Sequence, residues 1–170
     1  MIIKKTTIKD ADALLNLYLS VSENKKGIAR VKEEISKQYV IDIITNAENG
    51  GLMFVGFDNG KLIAEIHALT YGIKIFDHIL TNLTIVIHPY YQSQGYGKQL
   101  FQAFLSHIEY HRPDILRVEL ESRSSNEKSL KLYKSLGFKQ EGTMINKTRN
   151  VDGDYENSLL FAWFNKKFIS

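Results

Sequence analysis

The sequence predicts an α/β domain in which a mixed β-sheet is flanked by helices, built as one unit over residues 1–170. Three observations predict it. The hydrophobic period switches repeatedly between about 3.6 and 2, so helices and strands interleave along the chain. Between Leu80 and Glu121 an apolar strand, a glycine-bearing loop, an amphipathic helix and a second strand follow one another, which is a right-handed crossover with its two strands parallel. Turn signals at Asp58-Asn59-Gly60 and Val151-Asp152-Gly153-Asp154 add antiparallel hairpins on both sides of that pair.

The elements follow in order. Ile2 to Ile8 alternates and reads as a strand, and Asp10 is the N-cap of a helix with Leu14, Leu17, Tyr18 and Val21 on one face. A second helix is expected from about Val31 to Ala47, carried by Ile35, Tyr39 and Ile43 and closed by Asn49-Gly50-Gly51. The period then becomes two. Met53 to Phe57 and Lys61 to Leu69 form a hairpin, and Thr70 to Asp77 links it to a strand from Leu80 to His88. The next helix starts near Gly97, buries Leu100, Phe101, Phe104, Leu105 and Ile108, and stops before Arg112-Pro113. Ile115 to Glu121 returns as a strand. Asn126 to Leu136 is a helix ended by Gly137, Phe138 resumes an extended course, and Asn157 to Phe164 is the last strand. Its Leu159, Leu160, Phe161 and Phe164 point to a homodimer through a sheet edge or hairpin exchange.

Composition excludes several function classes. The 170 residues, 44% of them hydrophobic with only two prolines, fit a compact soluble globule with a sizeable core. No apolar run approaches the roughly 18 residues of a membrane span, and Met1 to Lys5 lacks the apolar segment of a signal peptide. The absence of cysteine removes disulfides, thiol nucleophiles and cysteine metal sites, with the cytoplasm as the default location. His67 and His78 lie far apart in sequence with no His-Glu-x-x-His helix, so no metal is expected, and His88, His107 and His111 read as surface or cap residues. No serine sits in Gly-x-Ser-x-Gly. A net charge of +3 suits an anionic ligand, but no basic stripe interleaved with aromatics offers a nucleic-acid surface.

The loop Gln92-Ser93-Gln94-Gly95-Tyr96-Gly97 joins a strand to a helix start, where unpaired N–H groups and the helix dipole welcome an anion. Gly95 and Gly97 remove β-carbons that would hold phosphate away. A third glycine for a dinucleotide fingerprint is missing, as is the Gly-Lys-Ser/Thr ending of a phosphate loop. The stretch resembles the acetyl-coenzyme A signature of the GNAT acyltransferases. Ile87-His88-Pro89, Tyr91, Gln92, Gly95, Gly97 and Leu100 fall in place for it. Leu120-Glu121-Ser122-Arg123-Ser124-Ser125-Asn126, followed by Leu132-Tyr133 and Gly137-Phe138, resembles the family's second hallmark, and together the two cover nearly all of residues 80–140. Read locally, Ser124 and Glu127 would make a capping box at Asn126, and Tyr133 would be a core aromatic beside Leu130 and Leu136.

The resemblance implies the GNAT fold, a mixed and mostly antiparallel sheet whose central parallel pair splays around the cofactor, with about four helices. It also implies an N-acetyltransferase that moves the acetyl group of acetyl-CoA directly to a primary amine. By the same resemblance the amides of Ile85 and Ile87 pair with the pantetheine arm, Gln92, Ser93, Gln94, Gly95, Tyr96, Gly97 and Lys98 take the pyrophosphate, and a backbone N–H at that strand's end meets the oxyanion. Asn126 orients the pantetheine end, and Tyr133 binds the sulfur and acts as general acid. Lys98, Lys131 and Lys134 are candidates for the adenosine 3′-phosphate, beside their ordinary reading as solvated lysines. Glu121 is the first choice for the base, because its run resembles ribosomal-protein alanine N-acetyltransferases; Glu65 and His67 on one strand face are the alternatives, and Asp77 and His78 are candidates for the acceptor pocket. The run from Glu141 through Arg149, Gly153, Tyr155 and Ala162-Trp163 looks like branches that acetylate small amines, whereas the Leu-Glu-x-Arg-x-Ser-Asn run leans toward protein N-termini. Because the closing hairpin walls the acceptor side in this fold, a small amine such as an amino acid ranks first and a protein N-terminus second. A non-catalytic CoA-binding sensor or scaffold is the reading from a different class.

Overall fold

A computed structural model of the chain describes residues 1–23, 28–149 and 152–169. Its strands are β1 (Ile2–Lys5), β2 (Leu52–Asp58), β3 (Lys61–Leu69), β4 (Ile79–Ile87), β5 (Arg117–Arg123), β6 (Lys139–Arg149) and β7 (Tyr155–Phe164). Its α-helices are α1 (Ala11–Ser22), α2 (Lys37–Glu48), α3 (Tyr96–His111) and α4 (Glu127–Ser135). The strands form a single sheet in the order β1-β2-β3-β4-β5-β7-β6. Every neighbouring pair is antiparallel except β4 and β5.

That exception positions the site. β4 and β5 pair only through Ile79 with Arg117 and Leu80 with Val118, and then part. A cause lies in β4 itself. His67 of β3 faces Thr84, yet Leu69 faces Thr81, so β4 carries one extra residue, and Asn82 there has φ 53°. Such a bulge bends and twists its strand, here away from β5. The splayed parallel pair expected from the sequence is therefore present.

Two apolar layers hold the sheet. On one face Leu52, Phe54, Ile66 and Ala68 pack with the α3 residues Leu100, Phe101, Phe104, Leu105 and Ile108, all buried as the sequence predicts. On the other, Leu14, Leu17, Tyr18 and Val21 of α1 and Val40, Ile43 and Ile44 of α2 cover Met53, Val55, Leu62 and Val86. Because β3 alternates and its Ile66 faces α3, Glu65 and His67 face α1 and α2.

Several expected boundaries move for identifiable reasons. β1 stops at Lys5 because the Asp10 carboxylate accepts the Thr7 N–H at 2.9 Å, the Thr7 hydroxyl at 3.1 Å and Lys4 Nζ at 2.8 Å. Asp10 thus locks the turn before α1 and makes no side-chain cap on the helix itself. α2 starts later than expected, at Lys37, because Ser36 is its N-cap and accepts the Tyr39 N–H at 3.1 Å; residues 32–34 form a separate 3₁₀ turn. β5 begins at Arg117, while Ile115 is buried ahead of it. Of the expected final turn, Val151 lies outside the described residues. β7 is paired on both sides, with β5 and with β6, so the edges of the sheet are β1 and β6. Phe161 is in the core and Leu160 and Phe164 are 36% and 42% exposed on the opposite face; with both its edges paired, β7 offers no free edge for the sheet-edge route to a dimer.

Candidate active site

The parting of β4 and β5 opens a cleft of about 600 Å³. Its floor is the backbone of Leu83 to Ile85; Tyr133 and Asn126 line it from α4, and His67 and Glu121 line it on the α1–α2 side. Hydrogen-bond alternation fixes the direction of the β4 amides. His88 donates to Ile63 O at 2.8 Å, so Val86 and Thr84 also turn toward β3, whereas Ile85 and Ile87 turn toward the gap. The Ile87 carbonyl, on that same side, accepts Gln92 Nε2 at 3.0 Å. The two amides named from the sequence thus edge an open half-sheet, which an extended amide-bearing chain can complete.

At the end of β4 the chain turns through Pro89–Tyr91, where His88 Nδ1 accepts the Tyr90 N–H at 3.3 Å. His88 is therefore a cap, as read. Gln92 and Gln94 spend their side-chain amides on loop carbonyls, the latter on Tyr90 O at 2.8 Å. They shape the loop, and its backbone is left to meet a ligand. Gly95 is the N-cap of α3 with φ 86°, a conformation open to glycine at little cost, and no side chain caps the helix. The first turn of α3 holds no acidic residue, and exposed Lys98 stands in it. A β-carbon on Gly95 would meet nothing within 4 Å, and one on Gly97 would lie 3.6 Å from Ile87 Cγ1. The uncapped start of α3 and the open space at Gly95 are the local features on which the sequence bases its expected anion cradle.

α4 is built to present Tyr133. Asn126 occupies its N-cap position without a side-chain cap bond, so the expected capping box with Glu127 does not form, and Asn126 faces the cleft. The helix ends in a Schellman motif: Phe138 N–H reaches Tyr133 O and Gly137 N–H reaches Lys134 O, both at 3.1 Å, with Gly137 at φ 91°. The accompanying apolar contact is Tyr133 against Phe138, ring centroids 6.1 Å apart. This is the physical content of the Leu-Tyr-x-x-x-Gly-Phe pattern. Phe101 and Phe161 enclose the same ring at 5.9 and 6.1 Å. Burial pushes the Tyr133 phenol up, and hydrogen bonding with Ser129 and Ser122 only partly counters it, so the group keeps its proton at neutral pH. It lines the cleft in its neutral, protonated form.

Across the gap, the Glu121 side chain is 39% exposed and lies 3.7 Å from Lys147 Nζ. Glu65 is fully buried: Tyr18 Oη donates to its Oε2 at 2.7 Å, and His67 Nδ1 is 2.9 Å from its Oε1. Within the buried group of Glu65, Tyr18 and His67, it is His67 that lines the cleft. Asp77 and His78 precede the parallel pair, at the end of β4 away from the splay, and do not line the cleft. Lys131 and Lys134 are exposed on α4. Sequence reasoning missed Tyr18, filed with the apolar face of α1, although a phenol on a buried face needs a hydroxyl partner. It also missed Asn82, where an asparagine inside an apolar strand signals a bulge, and the Ser122–Tyr133–Ser129 group.

A second groove of about 410 Å³ adjoins the cleft, sharing Asn82 and Glu121, and runs past Tyr71, Glu119, Glu141 and Leu160. Tyr71 Oη donates to Glu119 at 2.7 Å, and Arg117 bridges Glu119 and Glu141. Among the described residues no cluster of His, Asp and Glu could hold a metal ion, and no helix is long and apolar enough to cross a membrane.

Comparison with known proteins agrees with this geometry. Residues 49–140 match the model of the acetyltransferase (GNAT) domain. The [ribosomal protein bS18]-alanine N-acetyltransferase of Escherichia coli K12 is 31% identical over 121 residues, covering 69% of this chain and 76% of its own length. The protein of that name from Haemophilus ducreyi is 33% identical over 84 residues, which span 49% of this chain and only 57% of that relative. Among solved structures, the Salmonella typhimurium protein yncA, determined with its cofactor acetyl-CoA, superposes with a TM-score of 0.87 at 16% identity, over 100% of this chain and 96% of its own. The chain belongs to the GNAT family of acetyltransferases, enzymes that use acetyl-CoA as acyl donor.

Proposed function

We propose that this acetyltransferase works as one domain over residues 1–170 and modifies the N-terminal amine of a protein or peptide, with alanine in first position. The observation that carries the reading is the 31% identity over 121 residues to a ribosomal-protein alanine N-acetyltransferase. The groove past Tyr71 and Leu160 supports it, because it continues the cleft on the acceptor side and gives the residues behind a reacting N-terminus somewhere to lie. The small amine ranked first by the sequence rested on the closing hairpin walling in the acceptor. That hairpin contributes Thr148 and Ser158 to the cleft and Glu141 and Leu160 to the groove, so it lines a channel continuing from the cleft rather than ending it.

In this reading Ile85 and Ile87 bind the pantetheine arm through their gap-facing amides, and residues 92–98 bind the pyrophosphate at the start of α3. Asn126 orients the arm's end. Backbone N–H groups beside the β4 bulge stabilise the oxyanion, and Tyr133 protonates the departing sulfur. Glu121, a half-exposed carboxylate at the mouth, draws in the cationic amine. The test is release of free CoA thiol from acetyl-CoA with a panel of acceptors: an alanine-led hexapeptide, the same peptide blocked at its N-terminus, free amino acids and polyamines. Turnover confined to the open peptide supports the proposal. Faster turnover with a free amino acid or polyamine overturns it in favour of the small-amine reading.

A further inference from the structure

We infer that His67 Nε2 is the base that takes the amine proton, with Glu65 and Tyr18 as positioning residues behind it; this rests on the acetyl-transfer reading above. Glu65, His67 and Tyr18 are respectively 0%, 4% and 0% exposed. A buried carboxylate carries a large desolvation penalty, and an apolar trio of similar size would hold β3 against α1 at least as well. The cluster is thus an expense that packing does not explain, and one member opens on the cleft where acetyl transfer occurs.

With Glu65 a carboxylate and His67 neutral, the cluster's hydrogen bonds have one assignment. The Tyr18 phenol, pushed well up by burial and then by the Glu65 charge, keeps its proton and gives it to Oε2. Oε1 is an acceptor, so Nδ1 at 2.9 Å carries the ring proton, and Nε2 is left with a lone pair. Tyr18 Oη, 3.5 Å from Nδ1, braces the same edge of the ring. No hydrogen bond engages Nε2 among the described residues. His67 is paired across the sheet with Thr84, next to Ile85, whose amide faces the gap; Tyr133 lines the cleft from α4, on the other side of the sheet. Acid and base thus approach the reacting carbonyl from opposite walls. Glu121, hydrated and near Lys147, supplies counter-charge to the ammonium at the mouth.

The proton balance closes. The acceptor ammonium gives one proton to Nε2, and the neutral amine forms the C–N bond at the thioester carbonyl. The C–S bond breaks with its electron pair leaving on sulfur, and the thiolate takes the Tyr133 proton. The adduct nitrogen's surplus proton restores Tyr133, while the imidazolium at His67 returns its proton to solvent.

Glu65→Gln is the sharpest test, because in either amide orientation it removes the carboxylate charge that supports an imidazolium at His67, and where its NH2 faces Nδ1 it also forces the ring proton onto Nε2. With acetyl-CoA and the alanine-led hexapeptide, Glu65→Gln and His67→Ala should each lower kcat by about 10²-fold or more, with folding checked by thermal melting. The rising limb of the kcat/KM profile should move in both, and added imidazole should partly rescue His67→Ala. Glu121→Gln should mainly raise KM. Other ionisable groups around the ring are Tyr39 and Asp42 on α2, Arg30 ahead of it, which stacks on Tyr39, and Glu121 and Arg123 on β5. Asp42→Asn and Arg30→Gln are the controls and should leave the limb in place. Full kcat in His67→Ala, or an unmoved pH profile in Glu65→Gln beside a moved one in Glu121→Gln, overturns the inference. If the wild type ignores the peptide, the acceptor reading fails by itself, and ¹⁵N spectra of the imidazoles still decide: an Nε2 proton in the wild type sinks the inference, and its appearance only in Glu65→Gln supports it.

Discussion

Replacing Gly95 with alanine should weaken acetyl-CoA binding about 5- to 30-fold while leaving the fold intact. The residue sits at φ 86° at the N-cap of α3, on an exposed loop. A left-handed conformation costs a residue with a β-carbon roughly 1–2 kcal/mol. Space is not the obstacle in the free protein, because the added carbon meets nothing within 4 Å. The mutant loop, held by few contacts, can relax to a negative φ and must be pulled back when the ligand's phosphates need the N–H groups of the first turn. The strain then opposes binding, and at 1.4 kcal/mol per tenfold it becomes that 5- to 30-fold rise in Kd. Gly95→Asn separates the two contributions, since asparagine tolerates the left-handed region but its side chain projects into the same space. Isothermal titration calorimetry with CoA on the three proteins reads the effect, and melting curves verify the fold. An unchanged Kd in a folded Gly95→Ala protein would refute the reasoning and reduce the loop to a turn.

Three further outcomes follow from the structure. Tyr133→Phe keeps the ring packed against Phe101, Phe138 and Phe161, so CoA affinity should hold while kcat falls by about 10²-fold or more in a stopped-flow thiol assay. Gly137→Ala places a β-carbon 3.8 Å from Trp163 Cδ1, an ordinary contact, so the cost is the left-handed φ alone. It amounts to about 1–2 kcal/mol, or a Tm lower by about 2–8 °C in calorimetry. For Asp10, burial would raise the carboxyl, but hydrogen bonds from Lys4 and Thr7 outweigh it and hold the group below its usual range. The stability it contributes is present above the unfolded pKa and is lost as pH falls through the lower folded value. Asp10→Asn should therefore cost about 1–3 kcal/mol near neutrality and flatten the acid limb of stability measured by denaturant titration.

Local signals were the legible ones. The buried face of α3, the hairpin at Asp58-Asn59-Gly60, the glycine loop and the end of α4 all depend on residues within a few positions of one another, and each stands as the sequence reads it. Long-range pairing was not legible. Nothing local in Asn157 to Phe164 states that β7 inserts between β5 and β6, and the apolar residues that read as an exposed edge are an interior strand. Competition for the same group also misled: Asp10 has the composition of a helix cap, but Lys4 and Thr7 claim its carboxylate first. At the site, Tyr133, Asn126 and Glu121 were found by motif and do line one cleft. The buried Glu65–Tyr18 contact joins residues 47 apart in the chain, and only the packing of α1 on β3 brings it about.

Tandem mass spectrometry of an alanine-led peptide that also carries an internal lysine, after incubation with isotope-labelled acetyl-CoA and the enzyme, tests the central claim most directly. The account predicts a single labelled acetyl group on the alanine α-amine, lost when Tyr133 is replaced by phenylalanine. Label on the lysine side chain, or none on the peptide while a free amino acid becomes acetylated, would contradict it.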